Sequence, residues 1–214
     1  MPLGNRLDQF REVEYEKNKD HYQTLKYAQD PHTLFIACSD SRIDAERLMH
    51  AKPGEVFHLR NIANIVTPQD EMTDYPSMIS TIEFGVKVLD VENIVVCGHS
   101  NCGGCAALME LEKHREDLPI TAKWLEPSIP IKEEIIKRYG DRPLEEQLQL
   151  LEKANAIKQL DHLMTYPFIS ERVEKGTLDI YALHYNIGSG QILEYKYDSD
   201  MPDIITVIDQ LEVD

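Results

Sequence analysis

Two short segments of the chain concentrate side chains that can bind a metal ion. One is residues 38–42 (CSDSR) and the other is residues 98–104 (GHSNCGG). Two thiols and an imidazole are ligand types that Zn²⁺ prefers, and three protein ligands leave a fourth position open, as in catalytic zinc sites. His99 and Cys102 are close enough in sequence for one corner of the chain to present both, and the following glycines let the backbone approach closely. The segments therefore indicate a candidate zinc site at Cys38, His99 and Cys102.

Other interpretations of the cysteines stay open on the residues alone. Isolated cysteines at strand ends are commonly small buried apolar side chains. Cys102 and Cys105 also form a C-x-x-C pair, which in other settings is a redox motif. The preceding His-Ser-Asn and the two intervening glycines fit a redox pair poorly. We expect Cys97 and Cys105 to lie in the core, and the histidines other than His99 to serve structure or lie on the surface.

Each candidate segment follows an apolar run that is typical of a buried strand. Residues 33–38 (TLFIAC) precede the first segment, and residues 94–97 (IVVC) precede the second. Continuous apolar runs of this length are typical of strands covered on both faces. In open α/β sheets, ligands collect outside the carboxyl ends of the strands. The two segments are therefore expected to meet at one edge of a sheet.

The remaining pattern predicts the fold class. A third strand is predicted at residues 55–60, and helices are predicted at residues 8–28, 44–49, 77–89 and 144–164. Residues 178–186 and 191–197 flank Gly-Ser-Gly, which indicates a hairpin. Strands that alternate with helices imply an α/β fold with a mostly parallel sheet and helices on both faces. The hairpin adds an antiparallel edge strand.

Length and charge limit the function further. The chain has 214 residues with a formal net charge of −16, and we expect one domain spanning residues 1–214. Such an acidic chain is unlike nucleic-acid binders and unlike proteins that dock on anionic membranes. Its apolar runs are shorter than a membrane span, and its first residues lack a signal-peptide pattern. We therefore expect a cytoplasmic protein with reduced thiols.

The motifs, taken in order, resemble the β-class carbonic anhydrases. The resemblance rests on residues 38–42 (CSDSR), 60–64 (RNIAN) and 98–104 (GHSNCGG). Residues 80–89 (STIEFGVKVL) and 183–193 (LHYNIGSGQIL) add to it. It extends from about residue 10 to about residue 197, and it is the combination of motifs that is specific.

The resemblance implies a zinc enzyme that reversibly hydrates CO2 to bicarbonate and a proton, by attack of zinc-bound hydroxide. It implies one Zn²⁺ per chain, bound by Cys38, His99 and Cys102. Asp40 and Arg42 match the catalytic Asp–Arg pair of the family. Because Arg42 can bind the carboxylate bidentately, we expect it to hold Asp40 off the metal.

The resemblance also implies a substrate pocket that straddles a dimer interface. The matching positions are Gln29, Phe57, Ile62 and the backbone amide of Gly103. Packing of the N-terminal helix, residues 8–28, on a partner subunit would give a homodimer or a higher homo-oligomer such as a tetramer.

Two positions depart from the family pattern. A tyrosine found in some members falls at Phe84, so its hydroxyl is missing. A tryptophan of a non-catalytic bicarbonate site in some bacterial members falls at Phe35, although Arg60 of that site is present. The departure at Phe35 places that regulatory site in doubt.

Alternative functions are a CS2 or COS hydrolase on the same scaffold, a non-catalytic zinc or scaffold protein, and a thiol redox protein. The presence of Asp40, Arg42 and Gln29 favours CO2 over CS2 or COS, and Asp40 and Arg42 argue against a non-catalytic protein. One tightly bound zinc per chain with unreactive thiols would exclude the redox protein.

Overall fold

A five-stranded sheet organises the part of the chain that this computed structural model describes, residues 2–199 and 203–211. Its strands are β1 (Thr33–Cys38), β2 (Val56–Asn61), β3 (Asn93–His99), β4 (Asp179–Tyr185) and β5 (Ile192–Lys196). The spatial order is β2-β1-β3-β4-β5. β1 to β4 are mutually parallel, and β5 pairs antiparallel with β4. The predicted mostly parallel sheet with an antiparallel edge strand is therefore confirmed.

Helices fill most of the remaining chain. They are α1 (Leu3–Gln9), α2 (Lys19–Thr24), α3 (Ala45–Leu48), α4 (Pro76–Lys87), α5 (Gly103–Met109), α6 (Leu111–His114), α7 (Pro119–Leu125), α8 (Ile129–Tyr139), α9 (Leu144–Met164), α10 (Pro167–Glu174) and α11 (Ile204–Leu211). A π-helical segment (Phe10–Tyr15) follows α1, and short 3₁₀ segments occur at Ile62–Asn64, Gln69–Asp74 and Glu126–Ser128.

The sheet has apolar cores of unequal size on its two faces. Leu34 and Ile36 of β1 belong to the larger core, together with buried side chains of α4, α5, α8 and α9. Phe35 and Ala37 point to the opposite face and pack with residues of α3 and its surroundings in a smaller core. Since side chains alternate along a strand, an apolar run buried on both faces needs a cover on each side. The apolar run at residues 33–38 correctly indicated this position for β1, which is buried throughout.

α9 carries buried polar side chains on the face that it turns toward the loop after β2. The Asn155 side chain donates to the Ala63 carbonyl at 2.9 Å, and the Gln159 Oε1 accepts the Val66 N–H at 2.9 Å. Both side chains are fully buried. Because loop backbone has no ladder to satisfy it, these amides supply its missing partners. α9 thereby fixes the path of residues 62–67.

The N-terminal region differs from the single helix predicted at residues 8–28. Helical structure begins earlier, at Leu3, and the chain leaves the helical conformation at Asn18 before α2. The Asn18 side chain donates to the Glu14 carbonyl at 3.0 Å, a side-chain-to-backbone bond that competes with helix continuation. α1, the π-helical segment and α2 contain no buried residue.

A C-terminal helix, α11, was not indicated by the sequence pattern. It packs against α9, and the Tyr139 hydroxyl donates to Asp209 of α11 at 2.6 Å. Over the described residues, no helix combines the length and apolar character that crossing a membrane requires.

The hydrogen bond between Gln159 of α9 and Val66 can be tested by its effect on stability. Replacing Gln159 with Ala leaves the buried Val66 N–H without its acceptor, so we expect the free energy of unfolding to fall by about 1–3 kcal/mol. Urea denaturation at a fixed protein concentration measures it. Gln149→Ala, on an exposed position of the same helix, is the matched control and is expected to change stability little. Equal effects of the two substitutions would contradict the role assigned to Gln159.

Candidate metal centre

The candidate ligands meet at the carboxyl edge of two neighbouring strands. Cys38 ends β1 and His99 ends β3, and β1 pairs with β3 in a parallel register that sets Ala37 opposite Cys97. The chain then turns through Asn101 to Cys102, the N-cap of α5. The Cys38, His99 and Cys102 ligand atoms all lie within 4.8 Å of one another, and the three residues are buried.

The spacing and chemistry of this Cys–His–Cys cluster fit a tetrahedral zinc ion. The two sulfur atoms of Cys38 and Cys102 are 3.9 Å apart. Zn–S bonds of about 2.3 Å in tetrahedral geometry place two sulfurs about 3.8 Å apart. His99 Nδ1 lies 3.0 Å from the Ser100 carbonyl oxygen, so the tautomer assigned from that bond leaves Nε2 with a free lone pair. His99 Nε2 is buried and has no hydrogen-bond partner among the described residues.

The protein environment disfavours ionised thiols when no cation is near. A hydrogen bond with Cys102, together with burial, raises the pKa of Cys38 to about 12. A hydrogen bond with Cys105 raises the pKa of Cys102 as well. Because metal ligands must be deprotonated, a divalent cation in the cluster would stabilise both thiolates. Cys97 and Cys105 are buried in the core, as expected.

Asp40 lies at the edge of the cluster and is held by Arg42. The guanidinium donates to both carboxylate oxygens, at 2.9 and 2.7 Å, and the Arg42 backbone N–H donates to the same carboxylate at 2.9 Å. These bonds hold the pKa of Asp40 well below its usual range, so the carboxylate stays ionised. Its Oδ2 is 3.9 Å from His99 Nε2. Arg42 also donates to the Asn101 carbonyl at 3.0 Å, which ties together the two loops that carry the ligands.

Arg60 supports the turn after β1. Its guanidinium donates to the Cys38 carbonyl at 3.0 and 3.1 Å and to the Asp40 carbonyl at 2.6 Å. The cavity beside Phe35 and Arg60 has a volume of only about 20 Å³. A space of that size holds about one water molecule. In this structure it is therefore too small for a bicarbonate ion.

Two of the four expected substrate-binding residues lie beside the cluster. Ile62 follows β2, lines a cavity of about 700 Å³ with Ser39 and Trp124, and is 40% exposed. Gly103 begins α5, directly after the ligand Cys102. α5 approaches the Ile62 loop so closely that a Cβ on Gly104 would lie 2.8 Å from the Ala63 Cβ.

Gln29 and Phe57 are not brought to the cluster of their own chain. Phe57 pairs with Leu34, four residues before the level of Cys38, which is about 13 Å along the strand. Gln29 is exposed and precedes the amino end of β1, whereas Cys38 lies at its carboxyl end. Phe57 packs instead near Phe84, with ring centroids 6.1 Å apart.

One residue that contacts the ligand loop is not indicated by the motifs of the sequence. Glu152 of α9 accepts the backbone N–H of Cys102 at 2.8 Å and is 3% exposed. It belongs to a stripe of polar residues at spacings of three or four along α9, namely Glu152, Asn155, Gln159 and His162, and such a stripe does not by itself indicate burial.

Comparisons with known proteins agree with this geometry. A family model described as "Carbonic anhydrase" matches residues 33–192. A carbonic anhydrase of Helicobacter pylori (strain J99) is 37% identical over 194 residues, which cover 89% of this chain and 88% of the relative. The chain belongs to the β-carbonic anhydrases. Its activity is accordingly the reversible hydration of CO2.

Solved structures extend the agreement to the fold of this β-carbonic anhydrase. "The structure of the beta-carbonic anhydrase CcaA" superposes with a TM-score of 0.84 at 31% identity, covering 90% of this chain and 86% of that one. A β-carbonic anhydrase from Sordaria macrospora, one of two described as tetrameric, superposes with a TM-score of 0.79 at 28% identity. It covers 91% of this chain and 96% of that one.

The close approach of α5 to the Ile62 loop is testable with neighbouring glycines. Gly104→Ala places a methyl group against the Ala63 side chain and backbone, so we expect the free energy of unfolding to fall by about 1–3 kcal/mol. Gly103→Ala is the control, because nothing lies within 4 Å of its added Cβ. Thermal or urea denaturation compares the stability of the two variants. A Gly104→Ala protein as stable as Gly103→Ala would show that the Ile62 loop can shift to accommodate the methyl group without a measurable cost.

Proposed function

We propose that Cys38, His99 and Cys102 bind one Zn²⁺ per chain and that Asp40 and Arg42 act on the substrate beside it. The observation that supports this most directly is the buried cluster itself, with its sulfur atoms 3.9 Å apart and a free His99 Nε2. Zn²⁺ there would supply Lewis-acid chemistry, lowering the pKa of water so that hydroxide is available to CO2 near neutral pH. Three protein ligands leave room for that water.

Asp40 acts as a hydrogen-bond acceptor in this proposal. Its ionised Oδ2, 3.9 Å from His99 Nε2, can accept a hydrogen bond from the attacking water or hydroxide and so direct a lone pair at CO2. The same carboxylate is a possible fourth metal ligand, which would close the site. The bidentate contact with Arg42 opposes metal binding by Asp40, because turning the carboxylate onto the metal would break both hydrogen bonds with the guanidinium.

The substrate pocket is proposed to be shared by two copies of the chain. Ile62 and the Gly103 amide lie beside the cluster, whereas Phe57 lies about 13 Å along the strand from the level of Cys38 and Gln29 precedes the opposite end of β1. A second copy would have to supply the latter two. Its docking surface includes the N-terminal helices, whose apolar side chains are strongly exposed, among them Leu3, Leu7, Phe10 and Val13. The Sordaria macrospora relative, described as tetrameric, is consistent with such self-association.

We also propose that the enzyme is cytoplasmic. The four cysteines are free and buried, which suits a compartment that keeps thiols reduced. CO2 and bicarbonate are its proposed partners, with neither nucleic acid nor a membrane involved.

Arg42→Ala tests the catalytic pair. Without the guanidinium, Asp40 is free to turn toward the ligands, so we expect CO2 hydration to fall by about 100-fold or more while zinc content stays near one per chain. Stopped-flow hydration assays and metal analysis measure both quantities. Arg47→Ala is the matched control, since the Arg47 side chain is exposed and pairs with Asp44, the N-cap of α3, at 3.2 Å. Wild-type rates in Arg42→Ala would overturn the assignment.

COS or CS2 hydrolysis without CO2 hydration in the wild-type chain would favour the alternative substrates.

Mixed assemblies test whether the pocket is shared. Gln29→Ala and Arg42→Ala are each expected to be nearly inactive alone. In a mixed dimer, however, one site pairs an intact Arg42 with an intact Gln29 from the other chain. Co-refolding equal amounts is therefore expected to recover about a quarter of the wild-type CO2 hydration rate, because half the dimers are mixed and each has one complete site. Pockets built within one chain would give no recovery.

A further inference from the structure

The backbone N–H of Cys102 is bound by a buried carboxylate from a distant part of the chain. Glu152 Oε1 accepts this N–H at 2.8 Å, across 50 residues of sequence. Cys102 is the N-cap of α5, a position whose N–H commonly faces water. The ligand loop is therefore anchored to α9 by a side chain that lies 50 residues away in the sequence.

The second carboxylate oxygen of Glu152 faces an imidazole. Glu152 Oε2 and His184 Nε2 are 3.5 Å apart, and their side chains are 3% and 9% exposed. Neither atom has a hydrogen-bond partner within the part of the chain that the structure describes. Because burying a carboxylate without a compensating donor is costly, His184 is the group placed to compensate it.

β4 and α9 bring these two side chains to the cluster. His184 pairs with Gly98, the residue before the candidate ligand His99. A Cβ on Gly98 would lie 3.1 Å from the Glu152 carbonyl oxygen and 3.2 Å from the Ala156 Cβ, so glycine there lets α9 come close to β3. The same approach places the Glu152 carboxylate within reach of both His184 and Cys102.

The polar side chains of α9 differ in charge according to what they hold. Asn155 and Gln159 use neutral amides to bind the Ala63 carbonyl and the Val66 N–H of the loop after β2. At position 152, where the bound backbone belongs to a candidate metal ligand, the side chain is a carboxylate instead. An amide would satisfy the same N–H at a smaller desolvation cost, so packing alone does not account for the carboxylate.

We propose that Glu152, oriented by His184, is a positioning residue for Cys102. Through the Cys102 N–H it fixes the main chain from which the sulfur projects, and thus the direction of the sulfur toward the metal. Partners behind metal ligands commonly orient them, and their loss weakens metal affinity by about 10–100-fold. This inference rests on the zinc ligands proposed above and adds to them two residues that do not touch the metal.

Zinc affinity, measured by competition with a chromophoric chelator, tests the proposal. Glu152→Ala is expected to weaken Zn²⁺ binding by about 10–100-fold. Glu152→Gln keeps an oxygen that can accept the Cys102 N–H but loses the carboxylate that faces His184, so it is expected to recover only part of that loss. His184→Leu leaves the Glu152 carboxylate without its orienting partner and is expected to weaken binding to an intermediate extent. If Glu152→Ala does not fold, His184→Leu and Glu152→Gln decide the question.

Replacing zinc with Co²⁺ gives a spectroscopic measurement that a general loss of stability would leave unchanged. The thiolate-to-Co²⁺ charge-transfer band reports the Co–S bonds, so we expect it to shift or weaken in Glu152→Ala and His184→Leu. Gln159→Ala is the matched control, because Gln159 is equally buried on α9 but holds Val66 rather than a ligand. It should lose stability while keeping the wild-type band and zinc affinity.

Two results would overturn the positioning role. One is a Glu152→Ala protein with wild-type zinc affinity and an unchanged cobalt band, and the other is an equal change in Gln159→Ala. The ligand assignment is tested separately by Cys102→Ala, which should abolish tight zinc binding. A Cys102→Ala protein that binds zinc as tightly as the wild-type chain would refute the proposed metal site itself, whatever Glu152 does.

Discussion

Backbone hydrogen bonds between β1 and β3 hold Cys38 and His99 at one edge of the sheet. The parallel register sets Ala37 beside Cys97, so β1 and β3 end within one residue of each other, and the ligand atoms of Cys38 and His99 meet within 4.8 Å just beyond the paired residues. A slip of one residue would turn Cys38 to the opposite face of the sheet, because side chains alternate along a strand. Burial of β1 on both faces makes such a slip costly. The metal cluster thus depends first on a backbone pairing that no ligand residue provides.

The loops beyond that edge are held by side chains, since they have no sheet ladder of their own. Arg42 bridges Asp40 and the Asn101 carbonyl, and Arg60 binds the carbonyls of Cys38 and Asp40. From the other side, Glu152 holds the Cys102 N–H. A site held by supporting contacts on several sides keeps its geometry when substrate enters, which is what precise positioning of a reacting group requires.

The central features could be predicted from the sequence because they depend on local residue patterns. The apolar run of β1, the bounds of α9 and the ligand-bearing segments at residues 38–42 and 98–104 all follow from residue type and spacing. The position of the polar side chains of α9 does not, because a stripe such as Glu152 and Gln159 ordinarily marks the solvent-facing side of a helix. Its burial is decided by what packs around α9 after folding. The break at Asn18 likewise depends on one side-chain bond to Glu14, which periodicity does not register.

The distance between the cluster and the aromatic side chain of Phe57 has a consequence for how the activity of this enzyme depends on protein concentration. If the pocket is completed by a second copy, a monomer has the metal site but lacks part of the substrate pocket. The number of working sites then follows the law of mass action: it rises with the square of protein concentration when copies are dilute and becomes proportional to it when association is complete. Selection for activity would in that case act on the exposed apolar side chains of the N-terminal helices as strongly as on the ligands themselves.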